Sequence, residues 1–142
     1  RAQIYMNNDQ ARNAMLDYDA YYKAVNGQVN DLFYYYREQA ALKARQYQRA
    51  LDDIVKAVEL SPKDLTYRAE HAVVNLRVGR YEESMKILNE ILKDEPKYGE
   101  AYRLLGLCQI QLKKTDEACG NFNKAKELGD PNVDELIKKY CK

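Results

Sequence analysis

Residues 100–130 read EAYRLLGLCQIQLKKTDEACGNFNKAKELGD, two apolar stripes separated by a polar turn. Leu104, Leu105, Leu107, Cys108, Ile110 and Leu112 form the first stripe. Ala118, Cys119, Phe122, Ala125 and Leu128 form the second, at the three-to-four spacing of a helix that buries one face. Lys113-Lys114-Thr115-Asp116 lies between them, and Thr115 is expected to cap the second helix, with Asp116 and Glu117 in its first turn. Helices joined by so short a turn pack antiparallel.

The same plan recurs upstream. Without gaps, 66–96 and 32–62 align with this stretch at an offset of 34 residues each time. Tyr34 falls over Tyr102, Tyr47 over Tyr81, and Ala50 over Ser84 and Ala118. Ile54 falls over Leu88 and Phe122, Ala57 over Ile91 and Ala125, and Pro62 over Pro96. Small residues recur where two helices come close, and bulky apolar ones recur a turn later. Ser61-Pro62 and Glu95-Pro96 stop helices, because proline disfavours helical geometry in the residue before it. A fixed period of this length is the mark of a repeat array.

These residues resemble the tetratricopeptide-repeat family, whose units have a 34-residue period and a W…L-G…Y…A…F…P-like pattern. The third unit fits at Tyr102, Leu105-Gly106, Ala118, Phe122 and Ala125, and the second at Ala72, Gly79-Arg80-Tyr81, Leu88 and Pro96. The second departs at Arg68 and His71. The first has Arg37-Glu38 in place of Leu-Gly, so its first helix is expected to be tilted or packed unusually. The resemblance covers 31–130 and implies an all-α fold: an α-α superhelix of helix-turn-helix repeats at 31–64, 65–98 and 99–130. Residues 1–30 read as a partial preceding repeat, with Ala11, Ala14, Tyr18, Tyr21, Tyr22 and Val25 at helical spacing. Residues 131–142 read as a capping helix with Val133, Leu136, Ile137, Tyr140 and Cys141 on its apolar face, closing the array. Seven or eight helices and no sheet are expected. The opening Arg1-Ala2-Gln3 reads as a piece of a longer chain, whereas the C-terminal end reads as the natural end of the array.

Composition narrows the function. The 23 basic and 22 acidic residues are mixed along the chain and leave a net charge of +1, with no basic stripe for nucleic acid. Binding of single-stranded RNA, as in helical repeats of 35 residues, is disfavoured by the period, the prolines and the neutral charge. No apolar run reaches the ~20 residues that cross a bilayer, so membrane insertion by this segment is not expected. No glycine-rich phosphate loop, nucleophile elbow or metalloprotease motif occurs. The single histidine, His71, has no ligand-type residue a turn away, so a structural role is expected and neither metal nor cofactor is. The chain reads as a non-enzyme.

The unusual feature is 13 tyrosines against 2 phenylalanines and no tryptophan. Tyr34-Tyr35-Tyr36 points three ways around a helix at about 100° per residue, so not all three can be core. Most tyrosines are expected to pack repeat on repeat, and Tyr35 is expected to face a ligand. The resemblance implies a groove lined by the first helices of the repeats. By position, the lining is Tyr35, Gln39, Leu42 and Lys43, then Ala69, Val73, Leu76 and Arg77, then Arg103, Leu107, Ile110 and Gln111. The family's clamp of Lys and Asn side chains on a C-terminal carboxylate is absent, because Tyr35, Gln39, Glu70, Glu100 and Leu104 stand at its positions. An apolar floor rimmed by Lys43, Arg77 and Arg103 suits an extended or helical peptide with apolar anchors and some acidic residues. The partner is therefore expected to be a protein or peptide. The alternative is the closing segment of a longer array, with recognition upstream or self-association through an exposed N-terminal edge.

Of three cysteines, Cys119 and Cys141 lie equally far from the Gly129-Asp130-Pro131 turn, 130 − 119 = 11 and 141 − 130 = 11. Residues equidistant from the turn of an antiparallel hairpin sit side by side, so the two could bridge if their Cβ vectors converge. A bridge would contribute on the order of 3 kcal/mol by chain-entropy reasoning. Two buried thiols in a reducing cytoplasm, or a bridge in an exported, periplasmic chain, are the two readings, and Cys108 on the neighbouring helix could compete.

Overall fold

The computed structural model describes residues 8–142. Among the described residues there are eight α-helices and no strand: α1 (Asn8–Ala24), α2 (Asp31–Lys43), α3 (Tyr47–Leu60), α4 (Leu65–Arg77), α5 (Tyr81–Asp94), α6 (Gly99–Gln111), α7 (Thr115–Glu127) and α8 (Asp134–Tyr140). The chain divides into two compact units, Arg1–Val74 and Asn75–Lys142, with the boundary inside α4.

In unit 1, α2 packs against both α1 and α3. Ala11, Met15, Ala40, Ala41, Ala50, Ile54 and Ala57 form the centre of its core, with Tyr34 and Tyr67 nearly buried. So many alanines let helix backbones approach closely, and the large side chains fill what remains. Met15 is a core residue that the α1 helical spacing omitted, while Tyr21, which the spacing included, is 55% exposed. Asn30 caps α2 by accepting the Phe33 N–H at 3.0 Å, and Asp64 likewise accepts the Tyr67 N–H at 3.0 Å.

The Arg37-Glu38 departure has a physical resolution. Arg37 forks onto Asp53 of α3, Nε to Oδ2 and Nη2 to Oδ1 both at 2.9 Å, and reaches Asp19 of α1 at 3.3 Å. Arg49 shares Asp19. The guanidinium also lies 5.0 Å from the Tyr22 ring centroid and 5.1 Å from that of Phe33. A charged fork thus joins three helices where the family pattern has leucine. Its partners hold Arg37 firmly charged despite its burial; the same burial pushes the Asp53 carboxyl up, opposed by the Arg37 hydrogen bonds.

In unit 2, α6 packs against α5 and α7, and α7 carries α8. Gly106 makes the α6–α7 approach possible: a Cβ there would lie 2.3 Å from Cε1 of the fully buried Phe122. Leu107, Ile110, Leu136, Ile137 and Tyr140 pack around Phe122, Ala118, Ala125 and Val133. Thr115 does not cap α7 as expected. Lys114 takes the N-cap position without a side-chain hydrogen bond, and Thr115 is already the first helical residue.

The turn after each repeat's first helix is the same device three times. Arg45, Gly79 and Lys113 occupy equivalent positions with φ of 61°, 89° and 66°. The next residue donates back across the turn, Gln46 to Ala41 O, Arg80 to Asn75 O and Lys114 to Gln109 O, each at 2.8 Å. This Schellman geometry favours glycine at the left-handed position, and only the middle repeat has it.

Two substitutions test the packing. Gly106→Ala drives a methyl into Phe122 and should destabilise the chain by about 1–3 kcal/mol in urea unfolding. Lys113→Gly should instead be neutral or stabilising by up to about 1 kcal/mol, because the turn conformation already suits glycine.

Candidate functional site

Within unit 1 the expected lining separates into core and surface. Leu42 is 7% exposed and Ala69 2%, so both belong to the core and not to an open floor. Tyr35, Gln39 and Val73 are half-buried, and Lys43 is exposed at the end of α2. The Tyr35 ring lies 5.2 Å from Tyr67 and 5.5 Å from Tyr36. Burial, and then the charge of Glu70, pushes the Tyr35 hydroxyl up, opposed by a hydrogen bond with Gln39. Leu32 and Tyr36, one turn apart on α2, are 47% and 39% exposed and were not among the expected lining. The signal for them was present in sequence, since positions 32, 36, 39 and 43 share a face at i, i+4, i+7 and i+11.

Asp31, at the start of α2, accepts from Ser61 Oγ at 2.7 Å and from the Tyr67 hydroxyl at 3.1 Å. The Ser61 hydrogen bond holds the Asp31 carboxyl below the usual carboxylate range. Burial, and then donation to Asp31, pushes Tyr67 up to about 12. This junction ties the start of α2 and the end of α3 to α4.

Within unit 2, Leu76 is half-buried and Arg77 exposed. Arg103 does not stand free as a rim cation. Its Nε lies 3.1 Å from both oxygens of Asp130, whose side chain is 3% exposed, and Nη2 lies 3.8 Å from Glu100. That charge is already matched inside the fold, where it fastens α6 to the turn before α8. Leu107 and Ile110 are half-buried against the Phe122 cluster, so they too serve the core. Gln111 is exposed, and its Oε1 lies 3.5 Å from the Tyr81 hydroxyl.

Cys119 and Cys141 are joined, with Cα atoms 5.8 Å apart. Cys141 lies just past α8, which ends at Tyr140, and not within the helix as its spacing suggested. Cys108 is a free, fully buried thiol, pushed up by burial and hydrogen-bonded to Ser84. Among the described residues no group of three or more His, Cys, Asp or Glu side chains could hold a metal, and no helix is long and apolar enough to cross a membrane.

Paired helices of 34-residue period, with a small residue under each bulky one, define a helical-repeat protein. A family model described as tetratricopeptide repeat matches residues 70–133, and one described as anaphase-promoting complex, cyclosome, subunit 3 matches residues 7–91. The chain belongs to the tetratricopeptide-repeat family. It is 29% identical over 99 residues to the small glutamine-rich tetratricopeptide repeat-containing protein 2 of Mycosarcoma maydis, a match covering 70% of this chain and 28% of that protein. The chain spans less than a third of the curated relatives it matches first. Among solved structures, it superposes with TM-score 0.76 and 20% identity on YrrB, a tetratricopeptide-repeat protein with an unusual peptide-binding site, covering 92% of this chain and 67% of that one. It superposes with TM-score 0.68 and 19% identity on the first such domain of Spaghetti (RPAP3) bound to an HSP90 peptide, covering 78% and 90%.

The Asp31–Tyr67 link gives a pH test. Because the folded Tyr67 holds its proton above the ordinary value of 10.0, its contribution to stability is complete below pH 10 and lost as pH rises through about 12. Asp31, shifted below 3.8, contributes above that value, and its contribution is lost as pH falls through its folded pKa. Ultraviolet titration should show a tyrosine ionising near 12 that is missing in Tyr67→Phe.

Proposed function

We propose that this chain is a non-enzymatic scaffold that holds a peptide segment of another protein on the first-helix surfaces of its repeats. The observation that carries the reading is the outer face of α2: Leu32 and Tyr36 exposed, Tyr35 beside them, Gln39 one turn on, and Lys43 at the end. Large apolar side chains left in water next to a hydrogen-bonding amide and a cation are the ingredients of a peptide-binding face. Lys43 makes no ion pair among the described residues, so it is available to an acidic partner side chain. In unit 2 the exposed Arg77 has the same character, and Arg103, already matched by Asp130, leaves the set. The likeness to a peptide-binding repeat protein and to a peptide-bound repeat domain supports the class of ligand. The ligand is an extended or helical peptide with apolar anchors and an acidic residue.

A second reading, self-association or continuation of a longer array through α1, rests on Leu16 and Tyr21, which are 66% and 55% exposed on that helix. Sedimentation of the chain and of Leu16→Glu separates the two: a dimer lost on substitution supports the second, a monomer in both removes self-association.

The test of the first reading is a peptide selected by display against the chain, followed by calorimetry on variants. Tyr36→Ala and Lys43→Glu should each weaken it by about ten-fold or more, about 1.4 kcal/mol. Lys56→Glu, on an exposed position of α3, should leave it unchanged. Loss of binding in Lys56→Glu with retention in the α2 variants would move the site to the other face.

A further inference from the structure

We propose that Cys119 and Cys141 form a reducible clasp that determines whether the capping helix α8 stays closed on α7. The two positions are 22 residues apart, and their bond ties the end of the α8 segment to the first half of α7. Without that tie, α8 is held only by a small apolar anchorage. It is seven residues long, has no side-chain N-cap and contains no buried residue. A helix that short does not persist in water on its own strength. Its anchorage is Val133, fully buried just before it, then Leu136, Ile137 and Tyr140, all half-buried, with the Tyr140 ring 6.4 Å from that of Phe122. The ion pair from α7 to α8, Lys126 to Asp134 at 3.5 Å, joins two exposed side chains and contributes little.

The third cysteine keeps the device to two states. Cys108 is fully buried, with its thiol hydrogen-bonded to Ser84. Burial withholds the thiolate that exchange requires, so the pair can open and close without migrating to Cys108.

The exchange balances through a thiol-disulfide carrier. In closing, the thiolate of one cysteine attacks the carrier's disulfide, forming a mixed disulfide and releasing one carrier thiolate. The second cysteine, as thiolate, then attacks its partner's sulfur in the mixed disulfide. The Sγ–Sγ bond forms and the carrier leaves as a dithiol, having taken up two electrons and two protons. Opening is the reverse, driven by a reduced dithiol. The closed state belongs to a compartment that oxidises thiols, and entry into a reducing one loosens the cap. Opening uncovers the Ala118, Phe122 and Ala125 face now covered by the α8 segment.

The test is hydrogen exchange by mass spectrometry on the whole chain, made in an oxidising compartment, with and without reductant, together with non-reducing peptide mapping. The mapping should recover a Cys119–Cys141 peptide and free Cys108. On reduction, the amides of Ile137 and Cys141, which donate to Val133 and Ile137 in the closed state, should exchange at least about ten-fold faster while α6 is unchanged. Cys119→Ser/Cys141→Ser should exchange like the reduced chain, and Cys108→Ser should keep the response of the parent. A Cys108 pairing, three free thiols from the oxidising compartment, or α8 exchange indifferent to reductant would overturn the proposal. So would reduction that loosens α6 and α7 together with α8, because the bond would then be a staple of the whole unit. None of these readouts involves a bound peptide, so their outcome is separate from that of the peptide-binding reading.

Discussion

Phe122 lies so close to the backbone of Gly106 that a single added carbon would fall inside its ring's van der Waals envelope. That approach decides how near α6 and α7 stand, and their spacing determines what else fits. Ala118 and Ala125, one turn to either side of Phe122, are fully buried because nothing larger has room. Leu107 and Ile110 pack against the same cluster, which covers part of each. Val133 is buried on the cluster from the other side and brings α8 with it. A helix hairpin with one apolar stripe per helix cannot cover its own outer face, so the α8 segment completes this unit.

Unit 1 meets the same requirement with different chemistry. Where unit 2 has Leu105-Gly106, it has Arg37-Glu38, with Glu38 fully buried and the Arg37 side chain mostly covered. A buried charge is tolerated only when its desolvation is offset, and Arg37 obtains that from a two-pronged hydrogen bond to Asp53, from Asp19, and from the aromatic rings of Tyr22 and Phe33. The fork is directional in a way that a leucine is not. It specifies the register of three helices at once, whereas apolar packing alone would accept small slips.

The two arginines offered by sequence for ligand rims show why position within a repeat is a partial guide. Arg77, at the end of α4, is exposed. Arg103 points toward the turn after α7 and is matched by Asp130, 27 residues away along the chain. Tyrosine follows the same logic. Tyr34 is core, Tyr35 is half-buried against Tyr67, and Tyr36 is 39% exposed, as three consecutive helical positions must diverge.

The period of 34, the helix pairs and the places where the chain turns were legible in the sequence, because they depend on local spacing: apolar residues every three or four positions and prolines at helix ends. The equal count of residues on either side of the Gly129-Asp130-Pro131 turn likewise sets Cys119 and Cys141 at matching positions in the sequence. Tertiary structure decided which face-matched residues are surface and which are core, placing Leu42 and Ala69 inside and Leu32 and Tyr36 outside. It also decided which charges are already matched, as with Arg37 and Arg103. Helical periodicity states the direction in which a side chain leaves its own helix. What it meets there depends on residues far away in the chain, and only packing brings those residues to it.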